Sequence, residues 1–265
     1  MFKKCLITVT FLTLFIASLS FAQIDSIAIF TEQVSWTDAA TAAAAVDLIT
    51  KNVKTAKEVK VYTDAELAAF ATKHTKDGNF DMIITFGWFP TSLYKPGNAE
   101  PDGSVGEKFL QGGDMFLNTA DYIFYVSSTN NDAGGLTNMT NSALDMWTDG
   151  TVCKPTADGT KYAPSLPASW NAPRSFRLDQ IKLEADWEAE VVFGSDGANS
   201  ADPVIIKSKS TGGRVGIAFQ VGDATPRGEV ISEIINNFLV PRVGNTTAVK
   251  ANDKLPLTWG QIKAD

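Results

Sequence analysis

Between Ile24 and Gly87 the residue pattern switches from strand to helix and back twice. "IDSIAIFTE" (24–32) is rich in β-formers, and Ser35 or Thr37 is placed to cap a helix through "DAATAAAAVDLITKNV", whose Ala and Leu content favours helix. "EVKVYT" reads as a second strand, Thr63 or Asp64 caps "AELAAFATKH", and Asp77-Gly78-Asn79 ends that helix before a third strand, "FDMIITFG". A β-α-β-α-β order leaves few options. The strands lie parallel, the crossovers are right-handed, and helices cover both faces of the sheet. The predicted fold class is therefore a three-layer α/β domain with a mostly parallel, flavodoxin-like sheet, in which ligands bind beyond the strand C-termini.

Ahead of this unit, Lys3 and Lys4 precede an apolar run from Cys5 to Leu19, and Ser20-Phe21-Ala22 supplies the small residues of a cleavage site. We expect residues 1–22 to be a signal peptide, the mature chain to begin at Gln23, and the protein to be exported to the periplasm or the exterior. The run is short for a membrane span, and no later segment approaches the roughly 20 apolar residues that one requires. Loss of the two leader lysines takes the net charge from -7 to -9. Such an acidic chain lacks the clustered cations that nucleic-acid binding needs. Cys153 would then be the sole cysteine, so no intrachain disulfide is expected.

After Gly87, "WFPTSLYKPGNAEPDGSVG" reads as a long loop. A short helix ends at "FLQGG", "DMFLNTA" forms a fourth strand, and Asp121 is placed to open a helix through "YIFYVSS". Residues 129–175 lose periodicity and read as an irregular insertion across the strand ends. "FRLDQIKLE" and "EAEVVFGSD" read as strands, and "KSTGGR" as a glycine hairpin between "PVIIKS" and "VGIAFQVG". An amphipathic helix, "RGEVISEIINNFLV", is expected to stop at Pro241, leaving 241–265 as a C-terminal extension to a single domain at 23–240.

The order and spacing of the strand before "GWFP", the helix ending in "FLQGGD", the strand into a sharp turn and the late "PVIIKSKSTGGRVGIAFQVGD" resemble the class I glutamine-amidotransferase-like fold, nearest to trehalose-utilisation-type (ThuA-like) secreted proteins. The resemblance covers 24–126 and 203–239 and concerns architecture. It implies a catalytic cysteine at the turn, where this chain has Asn118-Thr119-Ala120. It also implies a histidine and an acid after the last strand, where Gln220 and Asp223 stand. The implied triad is absent.

The residues lead to the same point independently. A Ser, Thr or Cys nucleophile needs a base. The only histidine, His74, falls at the end of the second predicted helix, at the other end of the neighbouring strand from the sheet edge where chemistry would occur, and reads as a surface or helix-end residue, and Cys153 reads as a small buried hydrophobe. Thr119 is either a nucleophile without a base or a turn residue, and Asp121 is either a helix cap or a ligand contact. Asp196, Asn199 and Asp202 lack the spacing of a calcium loop. No catalytic residue, metal or cofactor is assigned.

If a small ligand binds, we expect it at Gly87, Trp88 and Phe89 on one side and Asn118, Thr119 and Asp121 on the other. Trp88, Phe89, Tyr94, Trp147, Tyr162 and Trp170 either line a groove that stacks a carbohydrate or pin the loops to the core. A non-catalytic small-molecule binding domain is the leading reading. The alternatives are a hydrolase or sugar-modifying enzyme using Asp114, Asp121 and Asp223, and a structural module of the cell envelope.

Overall fold

The computed structural model describes residues 24–94, 103–126, 134–146, 148, 150–220 and 225–243. In chain order these are β1 (Ile24–Phe30), α1 (Ala39–Asn52), β2 (Ala56–Val61), α2 (Asp64–His74), β3 (Met82–Phe86), α3 (Val105–Gln111), β4 (Met115–Thr119) and α4 (Gly134–Thr140). There follow β5 (Val152–Pro155), α5 (Ala157–Tyr162), β6 (Trp170–Asn171), β7 (Phe176–Arg177), α6 (Leu178–Ile181), β8 (Trp187–Val192), β9 (Gly194–Ser195) and β10 (Ser200–Ala201). The hairpin β11 (Val204–Ser208) and β12 (Arg214–Ile217) precedes a final helical path. That path runs through α7 (Arg227–Glu233), a π-helical stretch (Ile234–Leu239) and α8 (Val240–Val243).

The main sheet has the order β2-β1-β3-β4-β12-β11-β8. β1, β2, β3, β4 and β12 are mutually parallel, while β11 runs antiparallel to both β12 and β8. The predicted mostly parallel sheet with a C-terminal hairpin is what forms. Its strands are apolar on both sides because both sides are covered. In β1, Ile27 and Ile29 enter the core shared with α1 and α7, while Ala28 and Phe30 enter the core shared with α2 and α3. Full burial of an Ile or Phe side chain stabilises by about 1.5–3 kcal/mol.

Helix α1 buries Ala42, Ala45, Val46 and Ile49, a single face at helical spacing, and Asp38 caps it by accepting the Thr41 N–H at 2.7 Å. The cap lies one residue beyond Thr37. Its small side chains let α7 approach closely at Gly228, where a Cβ would stand 2.7 Å from the Leu48 Cβ and 2.9 Å from the Ala45 carbonyl oxygen. Helices α2 and α3 begin with reciprocal capping boxes, Thr63 with Glu66 and Ser104 with Glu107.

Several expectations need correction. Within 129–175 the described residues hold α4, α5 and short strands, which join β9, β10 and β7 in a second antiparallel sheet of order β6-β5-β9-β10-β7. Strands of two to four residues are too short to impose a sequence period. "FRLDQIKLE" is strand only at Phe176–Arg177 and then turns helical in α6. Pro241 does not end the last helical path, which continues from the π-helical stretch through the proline to Val243. Residues 1–23 and 244–265, and with them the leader and most of the C-terminal extension, lie outside the described residues. No helix among the described residues is long and apolar enough to cross a membrane.

Candidate functional site

At the C-terminal edge of the parallel sheet the backbone enters left-handed conformations after each of four strands. Trp36 (φ 54°) follows β1, Gly87 (φ 89°) follows β3, Ala120 (φ 64°) and Asp121 (φ 51°) follow β4, and Phe219 (φ 57°) follows β12. Such backbone in non-glycine residues costs of order 1–3 kcal/mol each and concentrates at functional sites. At Gly87 glycine is required twice over, by its φ and by a Cβ position only 2.6 Å from the Ser35 carbonyl oxygen.

The helix expected from Asp121 does not form. Residues 121–126 make turns and one parallel bridge, Trp88 to Tyr125, with the Phe89 N–H donating to the Tyr125 carbonyl at 2.7 Å. Left-handed residues at Ala120, Asp121 and Phe124 break the helical repeat. Asp121 is therefore no helix cap.

The candidate residues Gly87, Asn118, Thr119 and Asp121 do come together. Asn118 is fully buried and spends its whole amide on the protein. Its Oδ1 accepts from Thr85 Oγ1 at 2.7 Å and the Gly87 N–H at 3.1 Å. Its Nδ2 shares two hydrogens among three acceptors, the carbonyls of Ala120 and Asp121 and Gln220 Oε1, at 2.9, 3.0 and 2.9 Å. Gln220 Nε2 in turn donates to the Arg174 carbonyl at 2.5 Å. Thr119 is also buried, and its Oγ1 accepts from Arg227 Nη1 at 2.7 Å. A guanidinium cannot take up the proton of a nucleophilic hydroxyl, so Thr119 is held as an acceptor. Phe89 is buried against Tyr94, Phe116 and Phe124.

Asp121 differs from these. Only 2% exposed, it accepts from Ser35 Oγ at 2.7 Å through Oδ2, while Oδ1 has no hydrogen-bond partner among the described residues. Burial pushes its carboxyl above the usual range, opposed by the Ser35 hydroxyl, the Tyr122 N–H and the Arg174 charge. The Arg174 guanidinium lies over the Tyr122 ring at 4.6 Å and over Trp36 at 5.2 Å. Tyr122 meets Tyr125 at 6.0 Å, and Tyr125 meets Trp88 at 5.1 Å. A continuous row, Trp36-Arg174-Tyr122-Tyr125-Trp88, thus crosses the strand ends beside the Asp121 carboxyl. Trp36 is 45% exposed, and Trp88, Tyr122 and Tyr125 are half-buried.

Sequence reasoning found Trp88 in this row and missed Trp36, Tyr122, Tyr125 and Arg174. Trp36 carried a signal, since it follows the first strand and so had to lie at the same edge. Of the other loop aromatics, Tyr94 and Trp170 are core, Tyr162 packs on Phe238, and Trp147 lies outside the described residues.

The remaining candidates lie elsewhere. Asp114 precedes β4 and Asp121 follows it, so the five residues of β4, at roughly 3.3 Å each, separate the two carboxyls. They cannot act as an acid-base pair, and Asp223 lies outside the described residues. Burial pushes Asp114 up to about 8. His74 ends α2 at this opposite edge, as its position implied, but it is buried there and not on the surface. Cys153 is buried, and desolvation, then the Asp202 charge, push its thiol up to about 12. Asp196 accepts the N–H groups of Ala198 and Ser200, and Asp202 those of Phe219 and Gln220, so the two do not face a common ion. A cavity of about 280 Å³ opens between α1 and the start of α7, bounded by Leu48 and by Arg227, which reaches inward to Thr119.

Fold and edge together define a three-layer α/β protein with a tyrosine- and tryptophan-rich strand-end surface. No family model and no curated protein matches the chain. Among solved structures it is similar to a protein from Bacteroides uniformis described as ThuA-like, with 11% identity over 83% of this chain and 91% of that one, at a TM-score of 0.45.

Proposed function

We propose that the chain is an exported, non-catalytic domain of amidotransferase-like architecture that binds a small hydroxyl-rich ligand, a carbohydrate, at the C-terminal edge of its parallel sheet. The observation that carries this reading is the row Trp36-Arg174-Tyr122-Tyr125-Trp88 beside the unpaired Asp121 Oδ1. Flat rings offer stacking area to the apolar face of a sugar, and the carboxyl oxygen beneath them is an acceptor left without a donor among the described residues. Catalysis by a nucleophile has no support at the turn. Ala120 occupies its left-handed position with a methyl group, Asn118 is fully bonded, and Thr119 accepts from an arginine.

The test is titration of the protein with mono- and disaccharides, read by tryptophan fluorescence and by thermal shift, because a ligand that binds only the native state raises Tm. Saturable binding lost in Trp88→Ala supports the reading; a flat response across the panel ends it. The raised Asp121 carboxyl favours one alternative, a general acid acting on a glycoside. Turnover of aryl glycosides abolished by Asp121→Asn would select that enzyme.

A further inference from the structure

The N-terminal edge of the same sheet carries a second polar cluster, unrelated to the ring-lined edge. Asp25 is the second residue of β1, His74 ends α2, Asp77 lies in the following turn, and Asp81 immediately precedes β3. His74 is 5% exposed and Asp81 0%, with the Phe70 ring 4.5 Å from the imidazole. The His74 Nδ1 stands 3.3 Å from Asp77 Oδ2 and 3.2 Å from Asp81 Oδ2. Yet neither His74 Nδ1 nor Asp81 Oδ2 has a hydrogen-bond partner among the described residues. The other Asp81 oxygen accepts the Ser26 N–H at 2.8 Å, which fixes the carboxyl and turns Oδ2 toward the imidazole.

One Nδ1 can give at most one proton; Asp77 is exposed and water can serve its oxygens, but Asp81 Oδ2 is fully buried and, left without a donor, costs about 1–3 kcal/mol. A cation placed among them removes that cost. Zinc bonds of about 2.0–2.2 Å in tetrahedral geometry hold neighbouring ligand atoms roughly 3.3–3.5 Å apart, close to the two separations seen here. One ligand atom each from Asp25, His74 and Asp81 also lie within 4.8 Å of one another. Asp25 is paired with the Lys57 ammonium, but that side chain is 60% exposed and can release into solvent.

We propose that His74, Asp81 and Asp25, with Asp77 on the outer side, bind a divalent cation of the zinc class and so fasten the end of α2 to the starts of β1 and β3. One imidazole with carboxylates suits zinc over a soft, thiolate-preferring ion. The competing arrangement is a protonated His74 paired with one carboxylate, which needs no ion.

His74 is the only histidine in the chain, which makes the test direct. The full chain carrying Cys5→Ser, stripped with a chelator, is titrated with Zn²⁺ and with Co²⁺. Expected are a rise in Tm with Zn²⁺ that Mg²⁺ does not reproduce, the visible absorption of tetrahedral Co²⁺, and a shift of the single set of histidine ring NMR signals. His74→Gln should weaken Zn²⁺ at least about tenfold, whereas Lys57→Ala should leave it equal or tighter by removing the competitor for Asp25. Zinc affinity unchanged in His74→Gln overturns the site. Should that variant fail to fold, histidine signals in the parent that do not move at saturating Zn²⁺ overturn it equally.

Discussion

Asn118 Nδ2 and Gln220 Oε1 meet at 2.9 Å, joining the ends of β4 and β12 across 102 residues of chain. The same amide also holds the β3 loop at Gly87 and the turn at Ala120-Asp121. Replacing Asn118 with Ala strands several buried partners at once, each costing about 1–3 kcal/mol. We expect Asn118→Ala to lose on the order of 2–4 kcal/mol in urea denaturation. Stability equal to wild type would show that water replaces the amide.

Ligand binding should depend on Trp88 and Asp121 far more than on Asn118's direct reach. Trp88→Ala and Asp121→Asn should each weaken sugar binding by about 1–3 kcal/mol, measured by calorimetry. Asp121→Asn keeps an oxygen to accept the Ser35 hydroxyl, so circular dichroism and Tm should stay near wild type. Full affinity in both variants would move the ligand away from this edge.

Much of this was legible in the sequence. The β-α-β-α-β alternation gave the parallel half of the sheet, and the spacing of Gly87 and Asn118 along two strands placed them at one edge. The character of that edge was hidden, because Asn118 looks like a ligand group until its distant partners Thr85, Gly87 and Gln220, 31 to 102 residues away, are known. Asp121 followed by Tyr, Ile and Phe reads as a capped helix locally. The Trp88–Tyr125 bridge and the left-handed backbone, both set by tertiary contacts, override it. His74 misled for a related reason: helix-end position says nothing of Asp81 and Asp25, which the sheet brings against it.

Stability should fall with rising pH through the titration of Asp202. The two N–H groups of Phe219 and Gln220 and the Arg227 charge favour its charged form, but complete burial outweighs them and pushes it up to about 6. A carboxyl with a folded-state pKa above its unfolded value of about 3.9 contributes stability that is complete below that value and is lost as pH rises through 6. The unfolding free energy measured by urea denaturation from pH 4 to pH 7 should decline more steeply in wild type than in Asp202→Asn, by up to about 3 kcal/mol across the window. Parallel profiles would contradict this.

Cys153 should be chemically silent. With its thiol pushed up to about 12 and buried, almost no thiolate exists at neutral pH. The native Cys5→Ser chain should react with a thiol reagent only at the rate of unfolding, and ammonia release from glutamine should be absent in wild type and in Cys153→Ser alike. Rapid labelling of folded protein would show an opening at β5.

The position of β12 between β4 and β11 has a consequence for how the molecule is made. Strands β2, β1, β3 and β4 are complete once Thr119 has left the ribosome, but the partner for β4 begins at Arg214, about 95 residues later. A chain that folded as it was made, at about 5–20 residues per second, would carry an open parallel edge for roughly 5–20 s. That edge holds Met115, Phe116 and Leu117, a sequence well suited to pairing with the wrong strand. In a chain that folds in this order, the late arrival of β12 makes β4 the edge most in need of shelter.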